Sequence, residues 1–144
     1  MPTTNFNLAI VISRFNEEIT EKLHQSAMDR LKELNVESER VTTVWVPGAI
    51  EIPITAQRLA ETGRFEVIVC LGAVVYGETK HFDYVCQQVS FGCQEVALSH
   101  DIPVIFGVLT TNDMEQAYAR VSKGRESIDT AFDLVQTLRQ IEKE

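Results

Sequence analysis

Four side chains able to bind a ligand or carry a proton stand together at Glu78-Thr79-Lys80-His81, directly after Gly77 ends an apolar run. A helix-like pattern starts at Phe82. A glycine-led turn into a helix N-terminus offers free backbone N–H groups and the positive end of the helix dipole, which favour an anion. The Thr79 hydroxyl adds a donor, and His81 supplies an imidazole, the side-chain type most often used to carry protons. Read alone, the same residues also fit a helix cap at Thr79 and a solvated His81. Phe15, in a polar loop after an apolar run, is either a platform for a flat ligand or a hydrophobic staple. Glu51, between Ile50 and Ile52 just after Pro47-Gly48, is either a ligand carboxylate or a complement to a helix dipole. Phe106 lies within an apolar run and reads as core unless the sheet meets a neighbour there. Arg120 and Lys123 flank a helix break and read in isolation as solvated charges.

Other chemistries lack their residues. The sequence has no GxGxxG after its first strand and no GxxxxGK[ST], so neither common phosphate loop is present. It has no GxSxG elbow and no His/Cys/Asp spacing suited to zinc, so no metal is expected. Net charge is -8, which argues against a nucleic-acid partner while leaving room for a small anion held by local cations. Cys70, Cys86 and Cys93 are widely spaced and read as reduced core thiols. The opening MPTTNFN lacks a basic stretch followed by an apolar core, and no apolar run reaches membrane-spanning length. The expectation is a cytoplasmic protein with no membrane partner.

The elements that must hold these residues alternate along the chain. The continuous apolar run at 8–12 reads as a strand buried on both faces, and the runs at 41–46, 67–75 and 104–109 read as three further strands. Helical stripes fall between them: Ile19, Leu23, Ala27, Leu31 and Leu34 after a cap at Asn16; a helix from near Pro53 to Thr62-Gly63; and Phe82, Val85, Cys86, Val89, Cys93, Val96 and Ala97. Asn112 with Glu115 suggests a capped start to a short helix, and a last helix runs from about Glu126 with Ile128, Ala131, Val135 and Leu138 inward. The alternation predicts one domain over 1–144: a three-layer α/β/α sandwich on a four-stranded parallel sheet, flavodoxin-like. In such sheets ligands bind beyond the carboxyl ends of the strands, which here gathers Phe15, Glu51, Thr79 and His81 on one edge.

The segments SRFN at 13–16, VPGAIEIP at 46–53, LGAVVYGETKHFDYV at 71–85, PVIFGVLTTN at 103–112 and EQAYAR at 115–120 together resemble the lumazine synthase family. That resemblance implies a metal-free, cofactor-free condensation of 5-amino-6-ribitylaminouracil with 3,4-dihydroxy-2-butanone 4-phosphate in riboflavin biosynthesis. It implies that Phe15 stacks on the pyrimidine. Ala49, Ile50 and Glu51 would bind its polar edge and ribityl chain, and Ala73, Val74 and Val75 would line the same pocket. Glu78 and Thr79 would hold the phosphate and His81 would carry protons. Phe106 and Arg120 would reach in from a neighbouring subunit, with Lys123 and Glu126 as weaker members and Arg125 as the alternative second cation. The implied assembly is a homopentamer, which in some members packs into decamers or sixty-subunit shells, with riboflavin synthase as a candidate partner. Three departures stand out: Tyr76 where a basic or polar residue is common, Ile50 in place of the usual aromatic, and a shortened connection after Arg120.

Overall fold

The computed structural model describes residues 5–77 and 81–143. Strands β1 (Leu8–Ser13), β2 (Val41–Val46), β3 (Val67–Val75) and β4 (Val104–Thr111) form one parallel sheet in the order β2-β1-β3-β4. Every residue of β1 and β3 is buried, as central strands covered on both faces require. From β1 the chain steps outward to β2, then returns across to β3 and β4. The boundary between β1 and β3 is therefore the switch point at which a crevice opens.

Side chains alternate across the sheet and divide the core in two. Leu8, Ile10 and Ile12 pack with Ile19, Leu23, Ala27 and Leu31 of α1 (Glu17–Glu33) and Ile128, Ala131 and Val135 of α5 (Lys123–Lys143). Ala9 and Val11 pack with Ile52, Ala56 and Leu59 of α2 (Ile52–Glu61) and Val89, Cys93 and Val96 of α3 (Phe82–His100). This is the expected α/β/α sandwich. Cys70 and Cys93 are buried in the second core; a hydrogen bond between them and burial push the Cys70 thiol up, keeping it protonated. No helix among the described residues is long and apolar enough to cross a membrane.

Several boundaries differ from the sequence reading, among them β1, which runs one residue further to Ser13. β4 runs on to Thr111 because Val74 and Val75 continue the ladder with Thr110 and Thr111. A 3-10 turn, Ala49–Glu51, precedes α2. The cap of the short helix α4 (Met114–Ala119) is Asp113, whose Oδ1 accepts from the Gln116 N–H (2.8 Å), while Gln116 Oε1 accepts from the Asn112 N–H (2.9 Å). The capping exchange sits one residue later than expected because the strand occupies the chain through Thr111. The last helix begins at Lys123, since the break after α4 is one tight turn. Leu138 is 37% exposed, lying at the rim beside Ile102 and Pro103.

Candidate active site

The loop after β1 is fastened on both sides. The Arg14 N–H donates to Val46 O (2.8 Å) and the Phe15 N–H to Pro47 O (3.1 Å), so pairing with β2 continues past the strand. Asn16 adopts the left-handed conformation (φ 62°), which asparagine tolerates better than most residues. It occupies the cap position of α1, yet its side chain makes no cap bond. Its Nδ2 instead donates to Ala73 O of β3 (3.1 Å), across the switch point. Held this way, the Phe15 ring remains 52% exposed at the strand ends.

Glu51 is held by its own turn. Its Oε1 accepts the Gly48 N–H (2.8 Å), and a Cβ at Gly48 would fall 3.1 Å from that oxygen. The carboxylate thus performs the helix-start duty that the sequence allowed, and its second oxygen makes no hydrogen bond to the described residues. Ala49 is buried and Ile50 is 37% exposed beside it. Ala73 and Val75 point into the α1/α5 core and Val74 into the α2/α3 core. Their backbone, rather than their side chains, faces the strand ends.

Beyond β3, the Tyr76 N–H donates to Thr111 O (2.8 Å), and Gly77 turns with φ 89°, a conformation that glycine adopts without strain. Glu78, Thr79 and Lys80 lie outside the described residues. His81 is exposed at the N-cap of α3, its ring 5.9 Å from that of Tyr84. Phe15, Glu51 and His81 thus follow β1, β2 and β3 on the same edge of the sheet.

The remaining candidates stand elsewhere. Arg120, Lys123 and Glu126 line a groove of about 410 Å³ along the outer side of β4, with Val108, Thr110 and Ser122. Arg125 points away: its Nη1 lies 2.9 Å from Glu33 Oε2, and together with Arg30 it holds the Glu33 carboxyl below its usual range. Phe106 is the third residue of β4, paired with Cys70 and half-buried on the α3 side. It is not at a strand end, and within one chain it does not join Phe15, Glu51 and His81.

A family model described as 6,7-dimethyl-8-ribityllumazine synthase matches residues 5–139. The chain belongs to this lumazine synthase family. Relatives named 6,7-dimethyl-8-ribityllumazine synthase from Coxiella burnetii strains Dugway 5J108-111 and CbuG_Q212 are 52% and 51% identical over 147 residues. Each alignment covers 99% of this chain and 97% of the relative.

For a lumazine synthase family chain, the sequence alone concealed two features of the site. Asn16 reads as an ordinary cap, and only its left-handed backbone reveals that its amide is turned toward β3. Tyr76 reads as an end-of-strand aromatic, but its ring meets Phe82 at 5.4 Å, across the loop that leads to His81. The unusual residue type at position 76 was the available signal.

Proposed function

We propose that this chain condenses 5-amino-6-(D-ribitylamino)uracil with 3,4-dihydroxy-2-butanone 4-phosphate to give 6,7-dimethyl-8-ribityllumazine, as a cytoplasmic homopentamer in riboflavin biosynthesis. The observation that supports this reading is that Phe15, Glu51 and His81 all follow the carboxyl ends of parallel strands on one edge of the sheet, where the Asn16–Ala73 bond ties the loop after β1 to β3. Phe15 stacks on the pyrimidine. The backbone at Ala49, Ile50 and 73–75 and the unengaged Glu51 oxygen meet its polar edge and ribityl chain. Glu78 and Thr79 receive the phosphate.

The outer groove supplies the other half of a neighbour's site. Arg120 forks onto the phosphate, which suits its planar donors, and Phe106 closes over the pyrimidine. Lys123 rather than Arg125 is the second cation, supported by its place in the groove with Arg120 and Glu126. Self-association is supported by Tyr84, Phe91 and Leu98, which recur every seventh residue on α3 and are 71%, 69% and 76% exposed.

The chemistry needs positioning more than activation. The uracil amine attacks the ketone and water leaves, phosphate is expelled, and ring closure onto the ribitylamino nitrogen releases a second water. His81 moves protons between these nitrogens and oxygens. Holding both substrates aligned contributes several kcal/mol, on the order of 7–11 in favourable cases. The test is to mix the purified protein with both substrates and follow lumazine absorbance. Turnover above the uncatalysed rate is expected. Tight pyrimidine binding without turnover would overturn the enzymatic reading.

A further inference from the structure

Tyr76 and Gly77 follow β3, Phe82 opens α3 directly after His81, and both Tyr76 and Phe82 carry aromatic rings. Tyr76 is tied to β4 through its N–H on Thr111 O (2.8 Å). Its ring meets Phe82 edge-on, at 5.4 Å between centroids and 80° between planes. Such pairs contribute about 0.5–1.5 kcal/mol beyond the area they bury. The ring is nevertheless 61% exposed, so it adds little to the core. What it does join is the last residue of the strand ladder to the first residue of α3. His81 sits between Gly77 and that clasp, with its O accepting the Val85 N–H (2.9 Å) and its ring leaning on Tyr84 (5.9 Å, 56°).

Resting on the reading of His81 as proton carrier, we propose that Tyr76 is a positioning residue. Its edge-to-face contact with Phe82 fixes the start of α3 relative to β4 and so sets where the His81 imidazole meets the reacting substrates. Because misplacing a catalytic group by about 1 Å can lower a rate by as much as 10²-fold, a modest loosening of the clasp reaches the chemistry.

The experiment compares the wild type with Tyr76→Phe, Tyr76→Ala and Tyr76→Ala/His81→Ala. Tyr76→Phe keeps the ring and is expected to retain kcat within about twofold, whereas Tyr76→Ala loses about three- to tenfold in kcat. In the His81→Ala background, the Tyr76→Ala loss in kcat disappears, because there is no imidazole left to place. An equal loss in both backgrounds, or none in either, overturns the proposal. A second readout does not require turnover: the His81 ring-proton resonance, identified by its absence in His81→Ala. The Tyr84 ring shifts it in the wild type, and Tyr76→Ala moves it toward the free-imidazole position. An unmoved resonance overturns the clasp, whereas a resonance that moves in Tyr76→Ala while the wild type makes no lumazine overturns the function alone.

Discussion

In the proposed reaction, Arg120 and His81 differ in what their removal takes away. His81→Ala deletes a proton carrier but leaves both substrates held, so kcat falls by about 10²-fold and stays above the uncatalysed rate. Arg120→Ala removes the donor fork for the group that defines the second substrate. kcat/KM for the butanone phosphate is expected to fall further than in His81→Ala, with partial recovery in Arg120→Lys. Steady-state kinetics with each substrate varied in turn decides this, and the reverse ranking would overturn the role given to Arg120.

A third residue-scale expectation concerns His24, half-buried on α1 with its ring 5.4 Å from Trp45 of β2. Its buried Nε2 has no hydrogen-bond partner among the described residues, and burial lowers its pKa from the ordinary 6.5. The unfolded chain therefore binds this proton more readily than the folded one. Stability is full above about pH 6.5 and declines as pH falls toward the lower folded value. Urea midpoints followed through the fluorescence of Trp45, the single tryptophan, should drop between about pH 7.5 and pH 5.5, and by less in His24→Leu.

Among the elements, the packing of α5 on α1 depends on one missing side chain. A Cβ at Gly124 would fall 2.1 Å from Leu23 O, backbone that cannot move aside without separating the helices. Gly124→Ala is expected to destabilise the fold by about 3 kcal/mol, measurable as a lowered denaturation midpoint. The consequence extends to the site, because the same first turn of α5 carries Lys123 and Glu126 into the outer groove. Ser122→Ala, which removes only an exposed hydroxyl bonded to Glu126 Oε2, should leave the midpoint nearly unchanged.

For the molecule as a whole, the division of functional groups is the main feature. Phe15, Glu51 and His81 follow β1, β2 and β3 on one edge of the sheet, while Phe106 and Arg120 stand at the outer strand β4. If each complete site draws on two chains, assembly and activity must fail together. Phe91→Glu puts a charge into the exposed α3 stripe. It is expected to yield a smaller species in light scattering and to lose most turnover, although the fold of each chain persists. A smaller species with full activity would overturn the shared site.

The sequence by itself determined the elements and their order. A continuous apolar run reports burial directly, so β3 was legible to the residue; β2, a half-buried edge strand, was legible through its β-branched and aromatic residues, and loops after parallel strands must share one edge. The five matching segments likewise identified the family. Tertiary structure decided how the loops are held. The left-handed turn of Asn16, the capture of Glu51 by Gly48 and the meeting of Tyr76 with Phe82 depend on backbone angles and partners that no local pattern specifies. It also separated Lys123 from Arg125, two cations that are equivalent in sequence. One faces the groove and the other faces Glu33 because a helix turns about 100° per residue, and only the packing of α5 on α1 fixes which side is which.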